Sequence, residues 1–318
     1  MLDIENDYSD LGFEEDILPP GQKTIITRNI LKFNRGMKLL LDSKQQTGYS
    51  AIALVTGRAG CGKSVAVLNF LKNLAPLPHT GFPACVAIRI MPDSNPKTVV
   101  EDLYACFKEP PPRFTRHQYA KEAAKAILAY DVKLLFVDEA DLLGKREFEL
   151  LRFVYGKTGC PLVIVGLPSI STLINRHERF AGRVGPRIRL LAPDEDEVLK
   201  TILPNLVFPH WSFDPTSEAD LAMGRDLWSK ARSSFRELRM LLQFASTLAG
   251  DAGQERITPQ ILKLAYSTHY RHAHIEETEE EDSTPDPQRT QFEVDSEERH
   301  KAKQQGKGKG GGDESDEQ

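Results

Sequence analysis

An apolar run of strand length, a glycine-rich loop and a helix follow one another between residues 51 and 74. Ala51 to Thr56 (AIALVT) is the apolar run, and Val65 to Leu74 is helical, with Val67, Leu68, Leu71 and Leu74 on one stripe. The loop between them is Gly57-Arg58-Ala59-Gly60-Cys61-Gly62-Lys63-Ser64, which satisfies the spacing GxxxxGK[ST] at every fixed position. Glycines at this spacing let the backbone wrap closely around phosphate oxygens, with amides of the turn and first helical turn as donors. Lys63 is then spaced to reach β- and γ-phosphates, and the Ser64 hydroxyl to hold Mg²⁺.

A second segment answers to the first. Lys133-Leu-Leu-Phe-Val-Asp138-Glu139-Ala140-Asp141 is a continuous apolar strand ending in carboxylates. Buried parallel strands read this way, and their carboxyl ends are where α/β proteins place ligands. Asp138 is suited to the metal or its water shell. Glu139, one residue on, is suited to polarising a water for attack on a γ-phosphate. The pair of segments points to ATP with Mg²⁺ as cofactors and to a hydrolase.

The length of 318 residues allows a core of about 200–250 residues with segments to spare. No apolar run approaches the roughly 20 residues that span a bilayer, and the first residues are acidic rather than signal-like. Cys61, Cys85, Cys106 and Cys160 lack paired metal spacing, which suits a reduced, cytoplasmic protein. Charge is unevenly spread. Residues 275–318 hold 15 acidic and 6 basic side chains, so the chain's net −5 leaves +4 for residues 1–274. The first 22 residues hold seven Asp or Glu and no Lys or Arg, which leaves +11 on residues 23–274. Such a body can bind polyanions.

The order of segments gives the architecture. Residues 1–22 form an acidic extension, and residues 24–46 a leading helix. Apolar strands are expected near 51–56, 84–90, 132–138, 161–166 and 187–191, alternating with helices near 62–74, 96–107, 116–129, 146–156 and 168–176. This is an α/β pattern: a five-stranded parallel sheet wrapped by helices over residues 23–192. Helices near 194–203, 216–231, 233–249 and 258–271 then make a small all-helical lid over residues 193–274, with Thr258-Pro259 as a helix start. Residues 275–318 hold too few apolar side chains to fold alone and read as a disordered acidic tail.

An α/β nucleotide domain followed by a helical lid resembles the AAA+ ATPases. Arg236, in Ala231-Arg-Ser-Ser-Phe-Arg236-Glu-Leu-Arg-Met-Leu-Leu, resembles the sensor 2 arginine that folds over the γ-phosphate in that family, although Ser233 stands where the family often has glycine. Within AAA+ proteins the chain is similar to the transposition regulators of the TnsC, TniB and MuB type. The likeness lies in Leu135-Phe-Val-Asp-Glu-Ala-Asp141-Leu-Leu-Gly144 with Glu149-Leu-Leu-Arg152, in Pro161-Leu-Val-Ile-Val-Gly166, and in Arg179-Phe-Ala-Gly-Arg183 with Arg187-Ile188. Met223-Gly-x-x-Leu-Trp228 and Ile257-Thr-Pro extend it, so that it covers about residues 24–271. Two features depart from the family: Leu167 occupies the position of a polar sensor 1, with Ser169 the nearest hydroxyl, and residues 1–22 are too short for the DNA-binding domain that begins MuB.

The resemblance implies an ATPase, slow and stimulated by DNA, assembly or a partner. It implies a ring or filament of subunits on double-stranded target DNA of any sequence, recruitment and stimulation of a transposase, a possible target-selection protein, and release on hydrolysis. A cation from the neighbouring subunit would complete each nucleotide site, with Arg183 favoured as this finger and Arg179 and Arg187 as the alternatives. Phosphate contacts to DNA are expected from Lys97, Lys145 and Arg146, which follow the second and third strands. Two other readings use the same nucleotide site: a helicase-loader-type AAA+ protein, and a secretion or signalling ATPase that does not act on DNA.

Overall fold

The computed structural model of the chain describes residues 23–48, 50–79 and 81–268. The acidic extension, the acidic tail and the last residues of the expected lid lie outside them. Five strands form one parallel sheet: β1 (Ile52–Thr56), β2 (Cys85–Arg89), β3 (Leu134–Asp138), β4 (Leu162–Gly166) and β5 (Val184–Arg189), in the spatial order β2-β3-β4-β1-β5. Helices α1 (Arg28–Thr47), α2 (Lys63–Lys72), α3 (Pro96–Ala105), α4 (Tyr119–Ala129), α5 (Lys145–Thr158), α6 (Ile170–Asn175) and α7 (Glu178–Ala181) surround it. Strand alternation sorts the core into two layers. Ile52, Leu54, Ile88, Leu135, Val137 and Ile164 face a cluster that includes Val99 and Leu103 of α3, Ile127 of α4 and Phe148 and Leu151 of α5. Ala53, Val55, Ala87, Phe136 and Val165 face α1 and α2.

In that second layer three rings meet. Phe136 lies 5.9 Å from Phe33 and 5.8 Å from Phe70, centroid to centroid, and Phe33 and Phe136 are fully buried. Phe33 belongs to α1, so this cluster attaches the leading helix to the middle of the sheet. Thr27 caps α1 by accepting from the Ile30 amide, and Gly48 ends it at φ 70° with its amide on the Lys44 carbonyl. All four cysteines are free and buried, and burial raises the thiols of Cys85, Cys106 and Cys160 to about 12.

Three elements differ most from expectation, the first being α1, which begins at Arg28 rather than near residue 24 because Thr27 caps it. The fifth strand starts three residues early, at Val184, and ends at Arg189. It is an edge strand in which Ile188 is buried while Gly185, Pro186 and Arg187 are exposed, so the apolar signal is missing. Its register also slips: Ile52 faces Val184 but Leu54 faces Arg187, so β5 carries an extra residue around Pro186. The helix expected near 194–203 is broken into α8 (Glu195–Glu197), a π-helical turn over Val198–Ile202 and a 3₁₀ turn over Leu203–Asn205. Pro204 cannot donate to the Lys200 carbonyl and crowds it, and the widened turn accommodates the ring.

The remaining helices, α9 (Glu218–Lys230), α10 (Phe235–Asp251) and α11 (259–268), enclose a third core. Leu199, Leu203, Leu227, Trp228, Leu238, Leu242 and Leu262 are buried there, and Ile25 packs against it. Thr258 starts α11 as expected, accepting from the Ile261 amide at 3.4 Å. Among the described residues no helix is long and apolar enough to cross a membrane. Truncating Phe136 removes the ring shared by β3, α1 and α2: Phe136→Ala is expected to cost about 3–5 kcal/mol in denaturant unfolding, and a loss below about 1 kcal/mol would contradict this assignment of the core.

Candidate nucleotide site

The loop from Gly57 to Gly62 joins β1 to α2 along a path that requires glycine in two places. Gly60 has φ 70° and Gly62, the N-cap of α2, has φ 89°. The first helical hydrogen bond runs from the Ala66 amide to the Gly62 carbonyl at 3.0 Å, so the amides before it point out of the helix end as donors. Lys63 is buried, and its Nζ donates to the carbonyls of Gly57 at 3.0 Å and Arg58 at 3.2 Å. The ammonium is thus folded along the same loop whose amides it would share with phosphates.

The strand order brings the second half of the site close. With β4 between β1 and β3, the Ser64 hydroxyl donates to Asp138 Oδ2 at 2.6 Å, across 74 residues of sequence. Asp138 is fully buried, and this burial raises its carboxyl; the Ser64 hydroxyl, the Glu139 amide and the charges of Arg89 and Lys63 oppose the rise. Glu139 follows at φ 52°. Its carboxyl is also raised, first by burial and then by the charge of Asp138, with Lys63 opposing and Asp141 adding. A raised carboxyl suits a group that must accept a proton. The hydroxyl and carboxylate oxygens of Ser64 and Asp138 are the hard donors Mg²⁺ takes, and the amide-lined loop with its lysine fits a triphosphate.

The lid reaches this loop directly. The Phe235 amide, first in α10, donates to the Gly60 carbonyl at 2.9 Å. A Cβ at Gly60 would strike the Ser234 hydroxyl and come within 3.4 Å of Arg236 Cβ, and one at Gly62 would lie 3.9 Å from the Phe235 ring. Arg236 is therefore one residue beyond a hydrogen bond to the loop, and its side chain is exposed. Arg232 and Ser233 just before α10 have φ 49° and 59°. The serine standing in place of glycine thus occupies the conformation that glycine favours.

The other candidates lie apart. Arg183 precedes β5, its carbonyl accepting from the Ile52 amide at 3.2 Å, while its guanidinium donates to the Arg179 carbonyl. Ile52 begins β1 and the phosphate loop follows its end, so Arg183 sits roughly 15 Å from its own subunit's loop at strand rise. Arg179, Arg183 and Arg187 are all exposed. Lys97 starts α3, where it pairs with Glu101 at 2.9 Å, and Lys145 and Arg146 start α5. All three are exposed and follow the carboxyl ends of the adjacent strands β2 and β3. Leu167 is half-buried and Ser169 exposed. The Leu167 amide donates to Asp141 Oδ1 at 2.9 Å.

Sequence reasoning missed three contributors: Arg89, whose Cα stands in register with Asp138; Asp141 as a partner of Leu167; and Ser234 with Phe235 on Gly60. Arg89 carried a signal, as a charged residue ending a buried apolar strand beside the carboxylate strand. A family model described as an AAA domain matches residues 46–174. The matched segment holds the glycine-rich loop, Asp138 and Glu139. Its fold is similar to the ORC2 protein of Aeropyrum pernix, solved as ADPNP and ADP complexes, with TM-score 0.61 and 15% identity over 80% of this chain and 70% of that one. Cdc6p from Pyrobaculum aerophilum gives TM-score 0.60 at 18% identity over 81% and 70%. The ORC1 protein of Aeropyrum pernix, solved in complex with DNA, gives 0.60 at 15% identity over 79% and 68%. These likenesses show the fold: an AAA+ five-stranded parallel sheet flanked by helices. No curated protein sequence matches the chain.

The AAA+ site implies a separation of roles. Lys63→Ala is expected to abolish ATP binding measured by calorimetry, whereas Glu139→Gln should bind ATP as the wild type does and turn it over about 100-fold more slowly. Equal turnover in the glutamine variant would remove Glu139 from the role of base.

Proposed function

We propose that this AAA+ protein is an ATP-hydrolysing switch that assembles on double-stranded DNA when its triphosphate site is filled. The observation that carries the reading is the hydrogen bond from the first amide of α10 to Gly60 of the phosphate loop. A lid attached to the loop that wraps the phosphates moves with its occupancy, and subunit contacts involving that lid change with it. Arg183 cannot serve its own subunit's loop from the start of β5, so a role at the nucleotide requires a neighbouring copy. Arginine suits that role because it stays charged and meets phosphate oxygens in a planar fork.

For the DNA partner, support comes from the +11 net charge of residues 23–274 and from the exposure of Lys97, Lys145 and Arg146 at one end of the sheet. Contacts of this kind follow the phosphate backbone and accept many sequences. The finer reading is regulation of DNA transposition: the protein marks target DNA, recruits and stimulates a transposase, and leaves on hydrolysis. It rests on the ordered landmarks from Asp138 to Trp228 and on Arg236. A second reading, a DNA-binding ATPase that acts outside transposition, is supported by the fold likeness to ORC1 solved in complex with DNA. Strand transfer by a transposase encoded beside this gene separates the two: transposition regulation predicts ATP-dependent stimulation, and its absence with DNA binding intact favours the second.

Two outcomes follow. Arg183→Ala is expected to lower hydrolysis about 10³-fold in the assembled protein. Mixing it with a Lys63→Ala subunit, whose arginine is intact, should restore part of that activity; no restoration would place the finger elsewhere. Replacing Lys97, Lys145 and Arg146 together by alanine should flatten the slope of log affinity for random duplex against log salt by about 2–3, since each lost phosphate contact removes roughly one released counterion. An unchanged slope would move the DNA surface away from this end of the sheet.

A further inference from the structure

The turn after β3 holds Glu139 in a conformation that its residue type disfavours. Its φ of 52° and ψ of 36° lie in the left-handed region, which side chains other than glycine disfavour and which persists only where the surroundings fix it. Three bonds are local to the turn: the Glu139 amide donates to Asp138 Oδ1 at 3.0 Å, the Leu142 amide to the Glu139 carbonyl at 3.0 Å, and the Leu143 amide to the Ala140 carbonyl at 3.1 Å. The backbone ladder between β3 and β4 pairs Leu135–Val137 with Leu162–Ile164, short of the turn. The Gly166 carbonyl at the end of β4 is turned to β1, where it accepts from the Gly57 amide at 3.3 Å.

Asp141 supplies the connection the ladder lacks. Its Oδ1 accepts from the Leu167 amide at 2.9 Å, linking the turn to the residue just past β4. Gly166 leaves the room for it, because a Cβ there would lie 2.6 Å from Asp141 Oδ1 and 3.3 Å from the Asp141 backbone nitrogen. We propose that Asp141 is a positioning residue for Glu139: its carboxylate clamps the turn over residues 139–142 to the end of β4, in the space that Gly166 provides. The proposal rests on the hydrolysis reading above for its effect on turnover.

The test uses the full-length protein with Asp141→Ala, Asp141→Asn and Gly166→Ala. Asparagine keeps an acceptor for the Leu167 amide and removes the charge; alanine removes both. Expected for Asp141→Ala is a kcat about 10–100-fold lower with ATP Kd within about twofold of wild type. Gly166→Ala should resemble it. Asp141→Asn should turn over within about threefold of wild type, because the acceptor for the Leu167 amide is kept. A merely structural role would lower thermal stability and ATP affinity together and show no rescue of kcat by asparagine.

Hydrogen exchange at the Leu167 amide reads the clamp without turnover. It should be protected in wild type and Asp141→Asn and about 10-fold or more faster in Asp141→Ala. Equal protection in all three, an Asp141→Ala kcat within about twofold of wild type, or an Asp141→Asn protein as slow as the alanine variant overturns the proposal. A wild type that binds ATP and never hydrolyses it would instead sink the hydrolysis reading, and the exchange result would decide the clamp alone.

Discussion

The path of the backbone from Gly57 to Gly62 governs the rest of this molecule. Two left-handed glycines turn the chain so that α2 begins with donors exposed and Lys63 folded back along the loop. The same turn leaves the Gly60 carbonyl accessible to α10 and the Ser64 hydroxyl against Asp138. One loop therefore touches both the Asp138 carboxylate and the start of α10. A side chain at Gly60 would collide with Ser234, so the loop's need for glycine is conformational and also a matter of close approach by the lid.

Sheet order converts this local geometry into a site. Because β4 separates β1 from β3, the ends of three strands deliver distinct groups to one place: the phosphate loop from β1, Asp138 and Glu139 from β3, and the Gly166–Leu167 corner from β4. Arg89 arrives from β2 in register with Asp138 and offsets part of the cost of burying carboxylates there. At the other edge, β5 leaves Arg183 near the start of β1, beyond reach of its own nucleotide loop. On the proposed reading that arginine acquires a use when a second subunit docks.

Much of this was legible in the sequence. Strands β1 to β4 read as continuous apolar runs because both faces of a parallel sheet are covered, and their boundaries match to within one or two residues. Lys63, Ser64, Asp138 and Glu139 stand out in the sequence because phosphate and metal chemistry asks for those residue types at that spacing, and the sheet brings Ser64 onto Asp138. The edge strand was misplaced because Gly185 and Pro186 carry no apolar pattern, and the break at Val198–Ile202 was hidden because a π turn keeps a helical composition. Asp141 on Leu167 and Ser234 on Gly60 join residues distant in sequence, and their contacts appear only once strand order and lid position are fixed.

The account depends on the lid reading triphosphate through Gly60 and passing that state to neighbouring copies on DNA. Sedimentation velocity of the full chain at fixed salt, with random duplex DNA and either a non-hydrolysable ATP analogue or ADP, tests this most directly. The account predicts multi-subunit complexes on DNA with the analogue and their loss with ADP. Monomers under both conditions, or equal assembly under both, would contradict it.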